Sequence, residues 1–308
     1  MSEASPSVAV IVVNYNSAGF IDEFCTSLQA IDYPSWRLVG IDSGSTDESM
    51  ATIERAFPDA EYVRCDDNVG FAAGCNIGIA RCLERGDDFA LFLNPDVAVT
   101  PGFLRSLVDA AADRRTIVVP KILYYYDHRI ISTHAGGFDW RLGVFRHTYA
   151  AQPDGPATSR PRDNLDTASF CCALVPLQAF RDAGTLDERF FMYYEETDWI
   201  RRAQAQGYRV RYEPSAVVYH RESGSSGGGW MTPFKQYYAT RNRIFLVRKH
   251  ARSRAAYAWF TAYFWATRIA AAARMAARRE WRLVRAMTLG VRDYYLGRMG
   301  RTMQVRDL

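Results

Sequence analysis

Two stretches of this 308-residue chain carry side chains whose type and spacing suit chemistry. The first is Asn94-Pro95-Asp96, where the apolar run Ala90-Leu91-Phe92-Leu93 ends abruptly in a single acid. Open α/β sheets bind ligands along the C-terminal edge of their strands, so a carboxylate there is placed to hold a divalent metal. The same residues would serve equally as a plain turn before a helix that Thr100 caps and Pro101 opens. The second stretch is Glu195-Glu196-Thr197-Asp198, directly after the aromatic run Phe190-Phe191-Met192-Tyr193-Tyr194. Acids at a helix N-terminus complement the helix dipole, which is the bland account. The aromatic neighbours, however, would desolvate a carboxylate and raise its pKa toward what a general base needs, and this reading is favoured. His220 stands alone after Ala216–Tyr219 and divides evenly between a structural and a functional role.

The elements around these residues read as alternating strands and helices. Ser7–Val13 is a near-continuous β-branched run, suited to a central parallel strand and broken by Asn14-Tyr15-Asn16-Ser17. Helical periodicity follows over residues 20–31, and a second strand, Leu38–Ile41, ends at Asp42. Ser45 and Glu48 have capping-box spacing for the next helix. After a short strand at Tyr62-Val63, glycines at 70, 74 and 78 place small residues on one helical face for a close approach. GxGxxG spacing is absent, so a Rossmann dinucleotide site is not indicated. The strand at Leu91 leads to a helix over 101–112 and a strand at Ile117–Val119. Loop signals fill 124–166, order returns at Ala168–Val175, and a short helix over 176–183 stops at Gly184. The helix that opens at the acids ends at Gly207, and strands follow at Tyr208–Tyr212 and Ala216–Tyr219. This alternation predicts an α/β fold with a doubly wound, mostly parallel sheet. Residues 223–229, all Gly or Ser, lead to Trp230 as a linker or a lid.

Composition sets the wider frame. Hydrophobic content of 48% and mean hydropathy of -0.22 belong to an ordinary globular protein. Six cysteines without a CxxC pair, and a start of Met-Ser-Glu-Ala-Ser-Pro without signal-peptide character, point to a cytoplasmic protein. Charge is uneven: residues 234–308 hold seventeen Lys or Arg against three acids, while residues 1–233 hold 21 against 31. This basic, aromatic-rich tail is helical in character, and its uncharged run of Ala255–Thr267 is too short to span a bilayer. It suits packing on the body or contact with an anionic lipid surface at the inner face of the plasma membrane.

Taken together, Val12-Val13-Asn14-Tyr15-Asn16, Ile41-Asp42-Ser43-Gly44-Ser45-Thr46-Asp47, the stretch from Asn68 to Asn76, Leu93-Asn94-Pro95-Asp96 and Tyr194-Glu195-Glu196-Thr197-Asp198 resemble the signatures of family 2 glycosyltransferases. Within that family the chain is similar to the bacterial rhamnosyltransferase-like branch, over about residues 7–250. The resemblance implies a GT-A fold over residues 1–232, with a nucleotide-binding half to about 120 and an acceptor-binding half from about 121. Residues 233–308 form a helical C-terminal region. It implies donor contacts from Tyr15, Asp42, Asn68, Asn94 and Asp96, with Asn94-Pro95-Asp96 in place of the family's Asp-x-Asp element. A divalent metal, Mn2+ or Mg2+, would sit at Asp96, with His220 as a further ligand. Glu196 aligns with the family's catalytic base, one methylene longer than the usual Asp, and Glu195 is the alternative. A single base and a direct displacement imply an inverting transferase that moves a sugar from a nucleotide-diphosphate sugar to a glycan or lipid-linked acceptor in cell-surface polysaccharide synthesis.

Other classes fit less well. A nucleotidyltransferase would carry a Gly-rich, Lys- or Arg-bearing loop after the first strand, which Asn14-Tyr15-Asn16-Ser17 lacks. A non-catalytic nucleotide-sugar-binding or membrane-docking protein draws support only from the departures at Asn94 and Glu196. Nucleic acid is not an expected partner, because a lipid-linked acceptor accounts for the same basic surface.

Overall fold

A computed structural model describes residues 5–132, 136–221 and 231–303. The Gly/Ser run read as a linker or lid lies outside the described residues. The chain begins with β1 (Val8–Asn14), α1 (Ile21–Gln29), β2 (Trp36–Asp42), α2 (Ser49–Ala56), β3 (Glu61–Arg64) and α3 (Gly70–Arg85). It continues through β4 (Phe89–Leu93), β5 (Val97–Val99), α4 (Phe103–Ala110), β6 (Thr116–Tyr124), β7 (Gly136–Asp139) and β8 (Val144–His147). Then come β9 (Cys172–Pro176), α5 (Gln178–Ala183), α6 (Glu195–Ala205), β10 (Arg209–His220), α7 (Pro233–His250), α8 (Arg254–Ala277) and α9 (Trp281–Tyr295).

Eight strands form one sheet in the order β3-β2-β1-β4-β9-β6-β10-β5, and β7 and β8 form a separate hairpin. The sheet is mostly parallel: β9 runs against β4 and β6, and β5 runs against β10. Helices cover both faces, so the middle strands are apolar on each side. Val8, Val10 and Val12 point to one layer with Phe24, Leu28, Leu91 and Leu107. Ala9 and Ile11 point to the other with Cys75, Ile79, Phe170 and Trp199. The glycines of α3 allow that helix to lie close on β1: a Cβ at Gly74 would stand 2.6 Å from Val13, and one at Gly78 would stand 2.5 Å from Ile11.

Several local expectations give way to longer-range partners. Ser45 does not box the start of α2; its hydroxyl accepts from the Asn14 side chain and the Asn16 amide, tying two loops together. Thr100 does not cap α4, which starts at Phe103; its hydroxyl donates to the Val217 carbonyl on β10. The strands expected at 208–212 and 216–219 are one strand, β10, whose register slips between Glu213 and Val217. Three residues after Asp96 form the short β5, which periodicity did not mark.

The C-terminal helices pack closely on one another. Gly290 of α9 brings that helix against α7, where a Cβ would stand 2.6 Å from the Tyr237 carbonyl, and the Tyr237 hydroxyl donates to Asp293 at 2.7 Å. Among the described residues, no helix is long and apolar enough to cross a membrane.

Candidate active site

Parallel pairing sets Asn14, the last residue of β1, opposite Asp42, the last of β2, so two polar strand ends meet at one edge. Asn14 is fully buried and donates to Ser45 (3.1 Å) and Ser49 (2.9 Å). One Asp42 oxygen accepts from the Ser45 amide at 3.0 Å, and the other faces Arg64 at 3.5 Å. Each carboxylate oxygen has two acceptor positions, so capacity for a ligand remains. Asn68 is drawn to the same edge: its side-chain carbonyl accepts from the Gly70 amide (2.9 Å) and from the Ser43 hydroxyl (3.4 Å). The two loops meet at Gly44, whose left-handed backbone lies where a Cβ would stand 2.6 Å from Asp67. Tyr15 follows Asn14 and is half-buried. Tyr15, Asp42 and Asn68 thus share one strand edge.

Asp96 belongs to the same edge of the sheet. Antiparallel pairing sets Val97 opposite His220, and the Arg221 amide donates to the Asp96 carbonyl at 3.0 Å. That register brings a nearly buried Asp96 carboxylate within 3.2 Å of the His220 imidazole. Asn94 opens the turn, its amide donating to the Cys171 carbonyl at 2.9 Å. Among the described residues, no cluster of three or more His, Cys, Asp or Glu side chains could hold a metal. Asp96 and His220 supply one hard oxygen and one imidazole, a pair compatible with a divalent cation that completes its shell with water or phosphate oxygens.

The acidic pair stands on a separate element with an unusual approach. Phe191, Tyr193 and Tyr194 all have positive φ (66°, 69° and 75°), a conformation costly for bulky residues. This strained turn delivers Glu195 and Glu196 to the N-terminus of α6, and Phe191 packs on Gly70, so the acids sit against α3. Burial pushes Glu196 up to about 7 and raises Glu195 well above the ordinary carboxylate range, with the charge of Glu196 adding to the effect on Glu195. One oxygen of each carboxylate is closed to solvent and lacks a hydrogen-bond partner. Buried acceptors of that kind are uncommon and concentrate where a ligand or proton completes them. Asp198 differs. Burial alone would raise it, but His250 (2.7 Å), Lys249 and Arg202 hold it below its usual value, so it fastens α6 to α7.

Two residues that sequence reasoning passed over hold the strained turn. The Asn242 amide on α7 donates to the carbonyls of Phe190 (2.8 Å), Met192 (2.7 Å) and Tyr193 (3.0 Å). Beside it, the fully buried Arg241 donates to the carbonyls of Phe190 and Gly300 and to Asn242 itself. The only trace in the sequence is the polar pair Arg241-Asn242 inside a tyrosine-rich helix, and nothing local ties it to residues fifty positions earlier.

The chain has relatives of known name. It is 28% identical over 266 residues to the N-acetylglucosaminyl-diphospho-decaprenol L-rhamnosyltransferase of Mycobacterium tuberculosis, covering 79% of this chain and 84% of that one. It is 24% identical to the rhamnosyltransferase WbbL of Escherichia coli, covering 80% and 97%. Among solved structures it resembles a mannosyltransferase from Pyrobaculum calidifontis in complex with GDP-Man and Mn2+. That likeness has a TM-score of 0.59 at 15% identity and covers 95% of this chain and 88% of that one. It establishes the GT-A fold. The sequence profile described as glycosyl transferase family 2 matches residues 9–184, more than half of the chain, and the chain belongs to that family.

Proposed function

We propose that this chain is an inverting transferase that moves a sugar, rhamnose as in its named relatives, from a nucleotide-diphosphate sugar to a hydroxyl of a glycan or lipid-linked acceptor in cell-surface polysaccharide synthesis. The observation that carries this reading is Glu196: a shielded carboxylate at about 7, with one oxygen lacking a partner, at the start of a helix. An acceptor hydroxyl is a poor nucleophile until its proton is taken. Glu196 accepts that proton as the oxygen attacks the anomeric carbon opposite the leaving diphosphate; one C–O bond forms, one breaks, and the configuration inverts. Glu195 is the alternative base. Tyr15, Asp42 and Asn68 seat the nucleotide, and Asn94 and Asp96 face its phosphates, within a nucleotide-binding half that runs to about residue 120. Asp96 and His220 would hold a Mn2+ or Mg2+ ion, which would supply charge neutralisation for the leaving diphosphate. Residues 121–232 form the acceptor half and 233–308 the helical region that carries it to a membrane surface. Support for that last point comes from α8. Its solvent face from Ala255 to Ala273 holds Trp259, Trp265, Ile269 and six alanines with no polar residue, between arginines at 252 and 254 and at 274, 278 and 279. Such a face fits the anionic inner leaflet from the cytoplasmic side.

Glu196→Gln is expected to lower transfer at least a hundredfold, within the usual range for a lost general base, and to leave nucleotide binding by calorimetry unchanged. Unaltered transfer would remove Glu196 as the base and pass the role to Glu195. Titration of dTDP, UDP and GDP with and without Mn2+ tests the donor edge. Metal-dependent tightening is expected for one of them and is lost in Asp96→Ala. A folded protein that binds none of the three would instead be a docking protein that keeps the fold.

A further inference from the structure

Among the described residues, Arg243 on α7 and Arg268 on α8 form no ion pair, although the acids that open α6 lie beyond the neighbouring Tyr194. Arg243 is 6% exposed. Its guanidinium donates to the Leu142 carbonyl at 2.6 Å, yet its Nε is closed to solvent and has no acceptor. The Nε of Arg268 is likewise buried without a partner. Both guanidinium carbons lie near one ring, that of Phe264, at 5.5 and 5.8 Å from its centroid. Two cations around one aromatic ring gain some cation–π attraction, but they repel each other, and neither has the counter-charge that normally accompanies burial.

The electrostatics agree. Burial pulls both arginines below their ordinary value, and Arg268 is pulled further by Arg243. Both also act on the half-buried Tyr194, the residue just before Glu195-Glu196, so the charge pair adjoins the turn that presents the acids. No residue of the donor edge is hydrogen-bonded or ion-paired to either arginine. Arg268 also borders the apolar solvent face of α8 between Trp265 and Ile269.

We infer that Arg243 and Arg268 form an anion site for a phosphate or diphosphate group on the acceptor, distinct from the site of the donor's phosphates. Guanidinium is the side chain best matched to phosphate oxygens, and a dianion would satisfy both free Nε groups and both charges at once. The site rests on the transferase reading only for the word acceptor; the anion itself can be tested without turnover.

The test is calorimetry on the full chain in EDTA, with sodium pyrophosphate and farnesyl diphosphate as probes and UDP as the donor-side control. Wild type is expected to bind pyrophosphate. R268Q, a change at the more exposed partner, is expected to weaken it about tenfold, and R243Q/R268Q to abolish it. Asp96→Ala is expected to leave it intact, and UDP affinity is expected to be equal in all the arginine variants. R243K/R268K, which keeps the charges, is expected to retain part of the affinity. Near-ultraviolet circular dichroism identifies any variant that has lost its packing, and R268Q then carries the comparison. Tighter binding of farnesyl diphosphate than of pyrophosphate supports a lipid-linked source of the anion, and equal binding supports a free phosphorylated one. Pyrophosphate affinity unchanged in R268Q and in the double variant overturns the site. Affinity lost in Asp96→Ala, or UDP binding lost with the arginines, overturns it equally by moving the anion to the donor edge. Transfer to a neutral acceptor without pyrophosphate binding would sink this site and leave the transferase standing, whereas pyrophosphate binding without any nucleotide binding would do the reverse.

Discussion

Glu196 holds a proton at pH values where an ordinary glutamate has lost it, because burial penalises its charged form. In its proposed role as base it must be ionised, so kcat is expected to rise with pH through about 7 and to level off above it. The same shift affects folding with the opposite consequence. Between the ordinary carboxylate value and about 7, the folded chain binds a proton that the unfolded chain has released, so stability falls as pH rises through that window. Glu196→Gln, which is neutral throughout, should therefore match wild type near pH 4 and exceed it at pH 8 by up to about 3 kcal/mol. Urea midpoints at the two pH values decide this; a gap that is the same at both would remove the buried charge as its cause. The desolvation of the acidic stretch was accessible from its composition, since aromatics stand beside the acids. Which acid is structural was not, because beyond the neighbouring Arg202 the partners of Asp198 lie at 249 and 250, on a helix far along the chain.

The start of α6 is held by its contacts with α7 rather than by its own sequence, for Tyr194 at its N-cap is left-handed and offers no side-chain cap. Asn242→Ala would remove the side-chain donor shared by three carbonyls of a strained turn, of which Phe190 keeps Arg241. A cost of about 1–3 kcal/mol is expected, together with a fall in transfer at unchanged nucleotide affinity. Equal losses of transfer and nucleotide binding would instead mean a general loosening of the fold. The sheet was legible because strands such as β1 and β2 are apolar runs that end in polar residues, at Asn14 and Asp42. The reversed direction of β9 and the three-residue β5 were not, since a buried apolar strand reads the same either way and a strand of three residues has no period. Arg241, Asn242 and Arg243 escaped for a related reason: each donates to a carbonyl distant in sequence, from a basic, aromatic region that read only as packing on the body or lying on a lipid surface.

The molecule joins an acidic body to a basic set of helices, and α8 leaves an apolar face about 27 Å long with Trp259 at 56% and Ile269 at 65% exposure. Sedimentation with vesicles containing phosphatidylglycerol is expected to carry the protein down, and Trp259→Ser with Trp265→Ser to weaken this about tenfold or more. Neutral phosphatidylcholine vesicles should bind it poorly, and added salt should release part of it from anionic ones. Indifference to both the tryptophans and the lipid charge would exclude this face as the contact.

The residues proposed to seat a nucleotide lie within the first hundred positions, whereas those that fasten the acids and flank the unpaired arginines lie beyond position 240. Because the two groups occupy separate lengths of one chain, recombination can exchange them. A chimera that takes its last three helices from a relative, with the Arg241-Asn242 pair kept, should inherit that relative's taste in acceptors and retain its own in nucleotides.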